Sequence, residues 1–142
     1  MVSVKVVSRY NSDFPGVGAT ARGIPGGPLY QSVEVISLLD RMGTQGVLSW
    51  TGKCSGSLQD LSLDLDDVVV LVGEAVRCGR FIGSEWCVQK PDGPWAACDA
   101  YEIKRRERCA VANKELEYIY YIKFAIGMTG KILLLVSCHL SN

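Results

Sequence analysis

The sequence predicts one α+β domain in which N-terminal helices pack on one face of a C-terminal antiparallel β-sheet. With 142 residues, 48% of them apolar, the chain has the size and composition of a single globular domain. Apolar residues recur every three or four positions before Arg80 and every second position after it, which are the periods of helices and of strands. Helices that precede a series of closely spaced strands are typical of the α+β class.

Residues 1–28 are predicted to be an irregular N-terminal arm that precedes a single domain over residues 29–142. An alternating stretch from Val2 to Val6 is followed by many residues that break regular structure: Pro15, Gly16, Gly18, Gly23, Pro25, Gly26, Gly27 and Pro28. The simplest interpretation is a mobile arm with room for one edge strand. An arm that folds over a partner or a site is the alternative, and no residue pattern supports it.

The first helix is predicted from Leu29 to Met42. Its apolar residues recur at intervals of three and four, and Gly43 follows where helices commonly end on glycine. The next residues, 44–57, are predicted to form turns. Ser57 to Asp60 offers a cap for a short turn of helix.

The second helix is predicted over residues 61–78. Three aspartates stand where carboxylates complement a helix N-terminus, and Gly79 can end the helix. Val68 to Val70 is β-branched and would fit a strand on propensity alone. The acidic start and the glycine stop favour a buried helix. The aspartates are Asp64, Asp66 and Asp67.

Four strands follow Arg80 in this interpretation. Tight turns are predicted at Pro91 to Gly93 and at Gly127 to Gly130, with a charged connection over residues 104–115. Short connections between consecutive strands favour antiparallel pairing. The predicted strands cover residues 81–90, 95–103, 116–126 and 131–139.

The cysteine content and the hydropathy pattern favour a reduced, cytoplasmic protein without a metal. The six cysteines contain no C-x-x-C pair, and a single histidine leaves no zinc-ligand spacing. The start of the chain lacks the pattern of a secretory signal, and no apolar stretch is long enough to span a bilayer. We therefore interpret all six cysteines as thiols of the core.

The strand over residues 116–126 has two chemically different faces, because alternate side chains of a strand share a face. One face holds an apolar wall, from Tyr118 to Ile126. The other face carries Tyr121 and Lys123 as neighbours, and the only histidine, His139, lies on the next strand. The three can bind phosphate and move protons. The alternative interpretation is that Tyr121 and Lys123 lie on an exposed sheet face and that His139 has a structural role.

The charge is balanced overall, with fifteen cationic and fifteen anionic residues, so a polyanion site would need a local cluster. One segment concentrates a third of the cations into eleven residues: Lys104, Arg105, Arg106, Arg108 and Lys114. It is either a solvated loop or a contact for a nucleic-acid backbone. Three aromatic residues could stack unpaired bases, although a core role is commoner for them: Trp86, Trp95 and Tyr101.

These residue types together suggest RNA cleavage without a metal or another cofactor. Such a site needs a base for the 2′-hydroxyl, cationic donors for the phosphate and an acid for the leaving 5′-oxygen. The sequence contains no paired-carboxylate metal motif, no phosphate-binding glycine loop and no serine–histidine–aspartate pattern.

Four segments of the chain resemble the MqsR (motility quorum-sensing regulator) family of toxins, in family order. Residues 61–73 (LSLDLDDVVVLVG) resemble its middle helix, and Phe81-Ile-Gly-Ser-Glu85 resembles the start of its first strand. Tyr121-Ile-Lys-Phe124 and Ile132-Leu-Leu-Leu-Val-Ser-Cys-His139 resemble its last two strands. The resemblance covers about residues 29–142 and leaves the arm unexplained.

The resemblance implies a RelE-like fold, cleavage of mRNA and neutralisation by a cognate antitoxin protein. By position, Tyr121 falls on the catalytic strand tyrosine of the family, and His139 falls where the family has a basic residue near the C-terminus. The family's first-strand lysine is replaced by Ile82 or Gly83, and its second-strand glutamine aligns near Ala97. Gln89 and Lys90 at the first turn are the candidates to take the place of this lysine and this glutamine in binding RNA. A non-catalytic binding module on the same fold, such as an immunity or regulatory protein, is the alternative.

Overall fold

The computed structural model describes residues 4–141 and confirms the α+β class. These residues form three α-helices and one six-stranded sheet with the order β1-β3-β4-β5-β6-β2. All neighbouring strands are antiparallel except β2, which runs parallel to β6. The elements are β1 (Gly23–Ile24), α1 (Ser32–Met42), β2 (Val47–Ser49), α2 (Gly52–Asp60), α3 (Leu65–Cys78), β3 (Arg80–Val88), β4 (Trp95–Cys109), β5 (Lys114–Ile126) and β6 (Leu133–Leu140).

The two helices with a clear apolar period are confirmed. Helix α1 ends at Gly43, whose φ of 55° lies in the left-handed region that glycine adopts without a steric penalty. Helix α3 begins with a capping box in which Asp64 and Asp67 each accept a hydrogen bond from the other's backbone N–H. The β-branched run at Val68 is helical because the α3 face that includes Val68 and Leu71 is buried in the core.

The prediction of turns over residues 44–57 holds only for the first residues, which belong to a short 3-10 helix at Gly43–Gly46. Val47–Ser49 is a strand at the sheet edge, and α2 begins after Thr51, whose Oγ1 accepts a hydrogen bond from the Cys54 N–H at 3.0 Å. Ser57 to Asp60 is therefore the last part of α2 and does not cap a separate turn of helix. The strand is only three residues long, and its stability comes from pairing with β6, a contact that has no local sequence signal.

The predicted connection over residues 104–115 is also wrong, because most of it belongs to a long hairpin. β4 continues to Cys109 and β5 begins at Lys114, which leaves a turn of four residues, 110–113. Charged residues face each other across the ladder, as in the pairs Arg106↔Glu117 and Arg108↔Glu115. Opposite charges in register stabilise a solvated part of a sheet, so a charged run here indicates a strand and not a loop.

The arm packs against the sheet, so the prediction that it is mobile is corrected for residues 4–28; Val2 lies outside the described residues. Val6 bridges to Trp95 and Ser8 bridges to Gly127, and the Ser8 side chain is fully buried. Phe14 contacts the rings of Trp86 and Trp95, with centroids 5.0 and 5.3 Å away. Aromatic burial fixes a segment whose glycines and prolines exclude helix and long strand.

A buried carboxylate joins the end of the arm to the sheet. Asp99 of β4 is completely inaccessible to solvent. Its oxygens accept hydrogen bonds from the backbone N–H groups of Leu29 and Tyr30, both at 3.0 Å, and from the Ser84 hydroxyl at 2.6 Å. Three donors satisfy the carboxylate, which is the condition for burying one.

The prediction that all six cysteines are thiols of the core is confirmed for four of them. All six cysteines are free, and four of them are buried, but Cys78 at the end of α3 is exposed and Cys109 at the hairpin turn is partly exposed.

Within residues 4–141, no helix has both the length and the apolar character needed to cross a membrane.

Alkaline pH should destabilise the fold through its buried phenols. Burial, with a smaller contribution from the charge on Asp99, raises the pKa of Tyr101 from 10.0 to about 12, and burial also raises the pKa of Tyr30. The unfolded chain then loses phenolic protons at lower pH than the folded chain, so the free energy of unfolding should fall as pH rises from 10 towards 12. Urea unfolding at successive pH values measures this trend, and a constant free energy across that range would contradict it.

Candidate functional site

The two faces of β5 differ as predicted. Tyr120, Ile122 and Phe124 are buried in the core, whereas Tyr121 and Lys123 are only partly buried on the opposite face. We call this second face of the sheet the polar face. Residues of the neighbouring strands that pair with Tyr121 and Lys123 share it, among them Ala100 on β4 and Ser137 on β6.

The structure brings Tyr121 and His139 into direct contact. They pair across the β5–β6 ladder, and their rings stack with centroids 5.1 Å apart and an angle of 18° between the planes. His139 Nδ1 lies 3.1 Å from the carbonyl oxygen of Leu140. Because a carbonyl can only accept, this hydrogen bond places the proton on Nδ1 and leaves Nε2 able to accept one.

Lys123 lies beside the same pair of rings and forms an ion pair. Its Nζ is 5.8 Å from the centroid of the Tyr121 ring and 2.6 Å from Oε1 of Glu85 on β3. The Lys123 side chain is 15% exposed, whereas that of Glu85 is 44% exposed. Solvent therefore reaches the carboxylate more easily than the ammonium group.

The surroundings fix the protonation of two of these groups. Burial raises the pKa of Tyr121 above its ordinary value despite the positive charge of Lys123, so the phenol keeps its proton at neutral pH. Burial opposes the charge on Lys123, but the Cys87 sulfur and the Glu85 carboxylate outweigh burial and raise its pKa. Tyr121 is thus a proton donor, and Lys123 is a permanent positive charge.

Two adjoining pockets open on the polar face. The larger, of about 350 Å³, is lined by Lys123 together with Arg22 of the arm and Lys53 of α2. The smaller, of about 180 Å³, is lined by Tyr121 and Ile82, and Glu85 lines both. In the larger pocket three cationic side chains stand against one carboxylate, which favours an anionic ligand.

Residues 4–141 contain no group of three His, Cys, Asp or Glu side chains placed to hold a metal ion.

The chain matches no protein-family model, no curated protein and no solved structure. The site is therefore interpreted from its own geometry.

The predicted RNA-binding cations divide between the two faces of the hairpin. Lys104, Arg106 and Arg108 alternate along β4 after Glu102, the partner of Tyr121 in the ladder, and therefore share the polar face. Arg105 points to the opposite face, where its guanidinium pairs with Glu74 of α3 at 3.3 Å and with Glu107 at 3.5 Å. Arg105 is therefore turned away from the polar face, whereas Arg106 lies on that face and has an ion pair with Glu115 at 3.8 Å.

The two residues proposed at the first turn have different positions. Gln89 lines the larger pocket, and its Nε2 donates a hydrogen bond to the carbonyl oxygen of Trp50 at 2.8 Å. This bond links the end of β3 to the chain that leads into α2. Lys90 is exposed at the turn that follows β3.

The commoner expectation for the three aromatic residues, a role in the core, is confirmed, and it leaves them unavailable to stack RNA bases. Trp86, Trp95 and Tyr101 are each at most 4% exposed. The arm covers the two tryptophans, and the Tyr101 ring stacks on Phe124 with centroids 6.0 Å apart. Covered rings cannot accept a base without unfolding the arm or the core.

The two departures from the family pattern have different structural meanings. Ala97 is fully buried and alternates away from the polar face, so an amide at this position would not reach the pockets. Ile82 is 43% exposed and lines the smaller pocket with Tyr121. An apolar side chain therefore lies beside the phenol at this position.

Sequence reasoning missed Glu85, Arg22 and Lys53. Glu85 had a signal, since it ends the Phe81-to-Glu85 motif and alternation places it on the face of Cys87. Arg22 and Lys53 had none, because the arm and the start of α2 reach the pocket only through the fold.

Proposed function

We propose that this chain is a metal-independent endoribonuclease that cleaves mRNA in the cytoplasm, the toxin of a type II toxin–antitoxin system. In this proposal it is an MqsR-like protein with a RelE-like fold, its helices on one face of the sheet and its site on the other. The observation that carries the proposal is the stacked Tyr121–His139 pair beside Lys123, next to a pocket lined by three cations. A cognate antitoxin protein is its expected partner.

The larger pocket is suited to the scissile phosphate. Lys123, Arg22 and Lys53 supply positive charge from the sheet, the arm and α2, and the partly buried position of Lys123 strengthens its attraction for an anion. A phosphate that approaches Lys123 competes with Glu85 for the ammonium group. Lys104, Arg106 and Arg108 extend along the same face and would contact the RNA backbone beyond the cut.

The three predicted catalytic residues have separate roles in the proposed reaction. His139 Nε2 takes the proton of the 2′-hydroxyl, whose oxygen attacks phosphorus to form the 2′,3′-cyclic phosphate. Lys123 stabilises the charge that develops on the phosphate oxygens. Tyr121 donates its proton to the leaving 5′-oxygen as the P–O5′ bond breaks, in keeping with its raised pKa.

Induction of the gene and cleavage in vitro test this proposal together. Expression alone should arrest growth, and the purified protein should cut single-stranded RNA in the presence of a chelator, leaving 2′,3′-cyclic phosphate ends. RNA in which the 2′-hydroxyl is replaced by hydrogen at every position should stay intact. Normal growth together with intact RNA would reject the proposal.

The alternative is a non-catalytic binding module. It is supported by the ion pair that occupies Lys123 and by the apolar Ile82 beside Tyr121. A binding module should bind RNA or a protein without arresting growth, so the same induction experiment separates the two functions.

Removing the carboxylate of Glu85 should strengthen RNA binding. Glu85→Gln takes the carboxylate from a pocket lined by three cations and releases Lys123. We expect an all-deoxy oligonucleotide to bind several-fold more tightly, with a salt dependence steeper by about one ion. Fluorescence anisotropy at several salt concentrations measures both effects.

Glu102→Gln is the matched control for this measurement. Glu102 also lies on the polar face, but it pairs with Arg80 outside the two pockets, at 3.1 Å. If both variants bind alike, the phosphate does not occupy the pocket beside Lys123.

A further inference from the structure

Two thiols that the proposed reaction does not use lie beside the larger pocket. Cys87 on β3 pairs with Ala96, and Cys98 on β4 pairs with Glu85, so the two cysteines are diagonal neighbours on one face of the β3–β4 ladder. Cys87 is 8% exposed and lines the larger pocket, whereas Cys98 is completely inaccessible to solvent. The larger pocket therefore gives access to Cys87 and not to Cys98.

Two hydrogen bonds stabilise the thiolate form of Cys87. One joins its sulfur to the Cys98 thiol, and the other joins it to the Lys123 ammonium group. The bond with Cys98 has the largest effect and, together with Lys123, lowers the pKa of Cys87, although burial and the negative charge of Glu85 act in the opposite direction. Burial and the charge on Cys87 raise the pKa of Cys98, which therefore keeps its proton. Because the thiolate is the nucleophilic form of cysteine, Cys87 is the reactive member of the pair.

The surroundings of Cys87 favour a small anionic reagent. Arg22, Lys53 and Lys123 line the same pocket, against the one carboxylate of Glu85. Its volume of about 350 Å³ lies within the range of small-molecule sites (~300–1,000 Å³). A pocket lined mainly by one sign of charge raises the local concentration of ligands of the opposite sign.

From this cluster we propose that Cys87 is a site of reversible modification by small anionic disulfides, a class to which oxidised glutathione belongs. The Cys87 thiolate attacks one sulfur of the disulfide, and a new S–S bond forms between Cys87 and that half of the reagent. The original S–S bond breaks, and the other half leaves as a thiolate that carries the electron pair. The carboxylates of the attached half remain in the pocket, where Arg22 and Lys53 can pair with them.

The modification closes the pocket to RNA, a consequence that rests on the proposed ribonuclease function. The attached group occupies the space of the scissile phosphate and brings negative charge next to Lys123. Since like charges placed against each other oppose binding, RNA binding and cleavage should both fall by about tenfold or more. A reducing thiol removes the group by the reverse exchange and restores both.

The first experiment locates the modification. A Cys78→Ser/Cys109→Ser background removes the two thiols that solvent reaches outside the pocket. After incubation with oxidised glutathione, peptide mass mapping should find one adduct, on Cys87, and none on the buried Cys54 and Cys138. Adding Cys87→Ser should abolish the adduct, and dithiothreitol should release it. The absence of an adduct on Cys87 in the folded protein would overturn the proposal.

The second experiment tests whether the charge of the pocket guides the reagent. Lys53→Gln in the same background should slow the modification several-fold at low salt, and high salt should remove the difference. Lys131→Gln is the matched control, because Lys131 is also exposed but does not line the larger pocket. Equal rates in the two variants would show that the pocket does not select an anion, which contradicts the proposal.

The third experiment tests the role of Cys98 as a positioning residue. Cys98→Ala removes the thiol that stabilises the Cys87 thiolate, so the midpoint of the rate of modification against pH should move to higher pH. Cys98→Ser keeps a hydrogen-bond donor and should move the midpoint less. An unchanged midpoint in Cys98→Ala would remove Cys98 from the site.

RNA binding separates this proposal from the ribonuclease function. Fluorescence anisotropy with an all-deoxy oligonucleotide should show weaker binding after treatment with oxidised glutathione, whereas treatment should not change the binding of the Cys87→Ser protein. If Cys87 carries the adduct but binding and cleavage stay unchanged, the inferred closure of the pocket is wrong. If the untreated protein cleaves no RNA while Cys87 is modified in the manner that depends on Lys53, the ribonuclease proposal fails and the modification site stands.

Discussion

Replacing Tyr121 with phenylalanine and His139 with alanine in one protein should reduce RNA cleavage by at least ~100-fold and relieve growth arrest, as expected when acid and base catalysis are lost together. The two rings stack beside Lys123, so both substitutions remove a proton-transferring group from the same place. Lys123, Arg22 and Lys53 remain in the double variant. RNA binding should therefore persist when cleavage has stopped.

Three measurements separate this loss of chemistry from loss of fold. Single-turnover cleavage rates give the effect on the reaction, anisotropy with an all-deoxy oligonucleotide gives binding, and thermal unfolding gives stability. The effects of the two single variants should not add, because they act in the same step. Tyr118→Phe is the control, since it removes the same hydroxyl from the opposite face of β5. Undiminished cleavage by the folded double variant would remove both residues from the mechanism.

Replacing Asp99 with alanine should lower the free energy of unfolding by about 3 kcal/mol or more, since each buried donor left without an acceptor costs about 1–3 kcal/mol. The substitution leaves the N–H groups of Leu29 and Tyr30 and the Ser84 hydroxyl without their acceptor. For a chain of this length, the Tm should fall by roughly 6–12 °C. Differential scanning calorimetry measures both quantities.

Two further variants show whether the cost comes from the buried hydrogen bonds. Asp99→Asn keeps the shape but places an amide N–H₂ among donors, so an intermediate loss is expected. Asp40→Ala removes an exposed carboxylate and should change the free energy of unfolding by less than about 0.5 kcal/mol. If Asp99→Ala unfolds at the same temperature as Asp40→Ala, Asp99 does not anchor the arm to the sheet.

The sequence was most informative where one local pattern repeats over many residues. The period of α1 and α3 is continuous, and the capping box at Asp64 is a local signal that fixes where α3 begins. Alternation along β5 separated Tyr121 and Lys123 from the core residues Tyr120 and Ile122. These predictions hold because burying one face of an element is the main source of its stability.

Predictions failed where a segment depends on a partner that is distant in the chain. The strand at Val47 exists because β6 lies beside it, and the charged strand at Arg106 exists because β5 continues opposite it. Trp86 and Trp95 lie in the core, as is common for tryptophan, but the sequence did not show that the arm is the segment that covers them. Backbone pairing and aromatic burial between distant residues leave no periodic signal in either partner.

The sequence by itself determined the fold class, the α1 and α3 helices, the faces of β5 and the polar residues that line up on one of them. Only the tertiary structure decided which groups meet. It paired Lys123 with Glu85, stacked His139 on Tyr121 and brought Arg22 and Lys53 from two distant segments to the same pocket. The physical reason is that the periodicity of a sequence depends on burial within one element. A site depends instead on distances between elements, and the strand order and the curvature of the sheet set those distances.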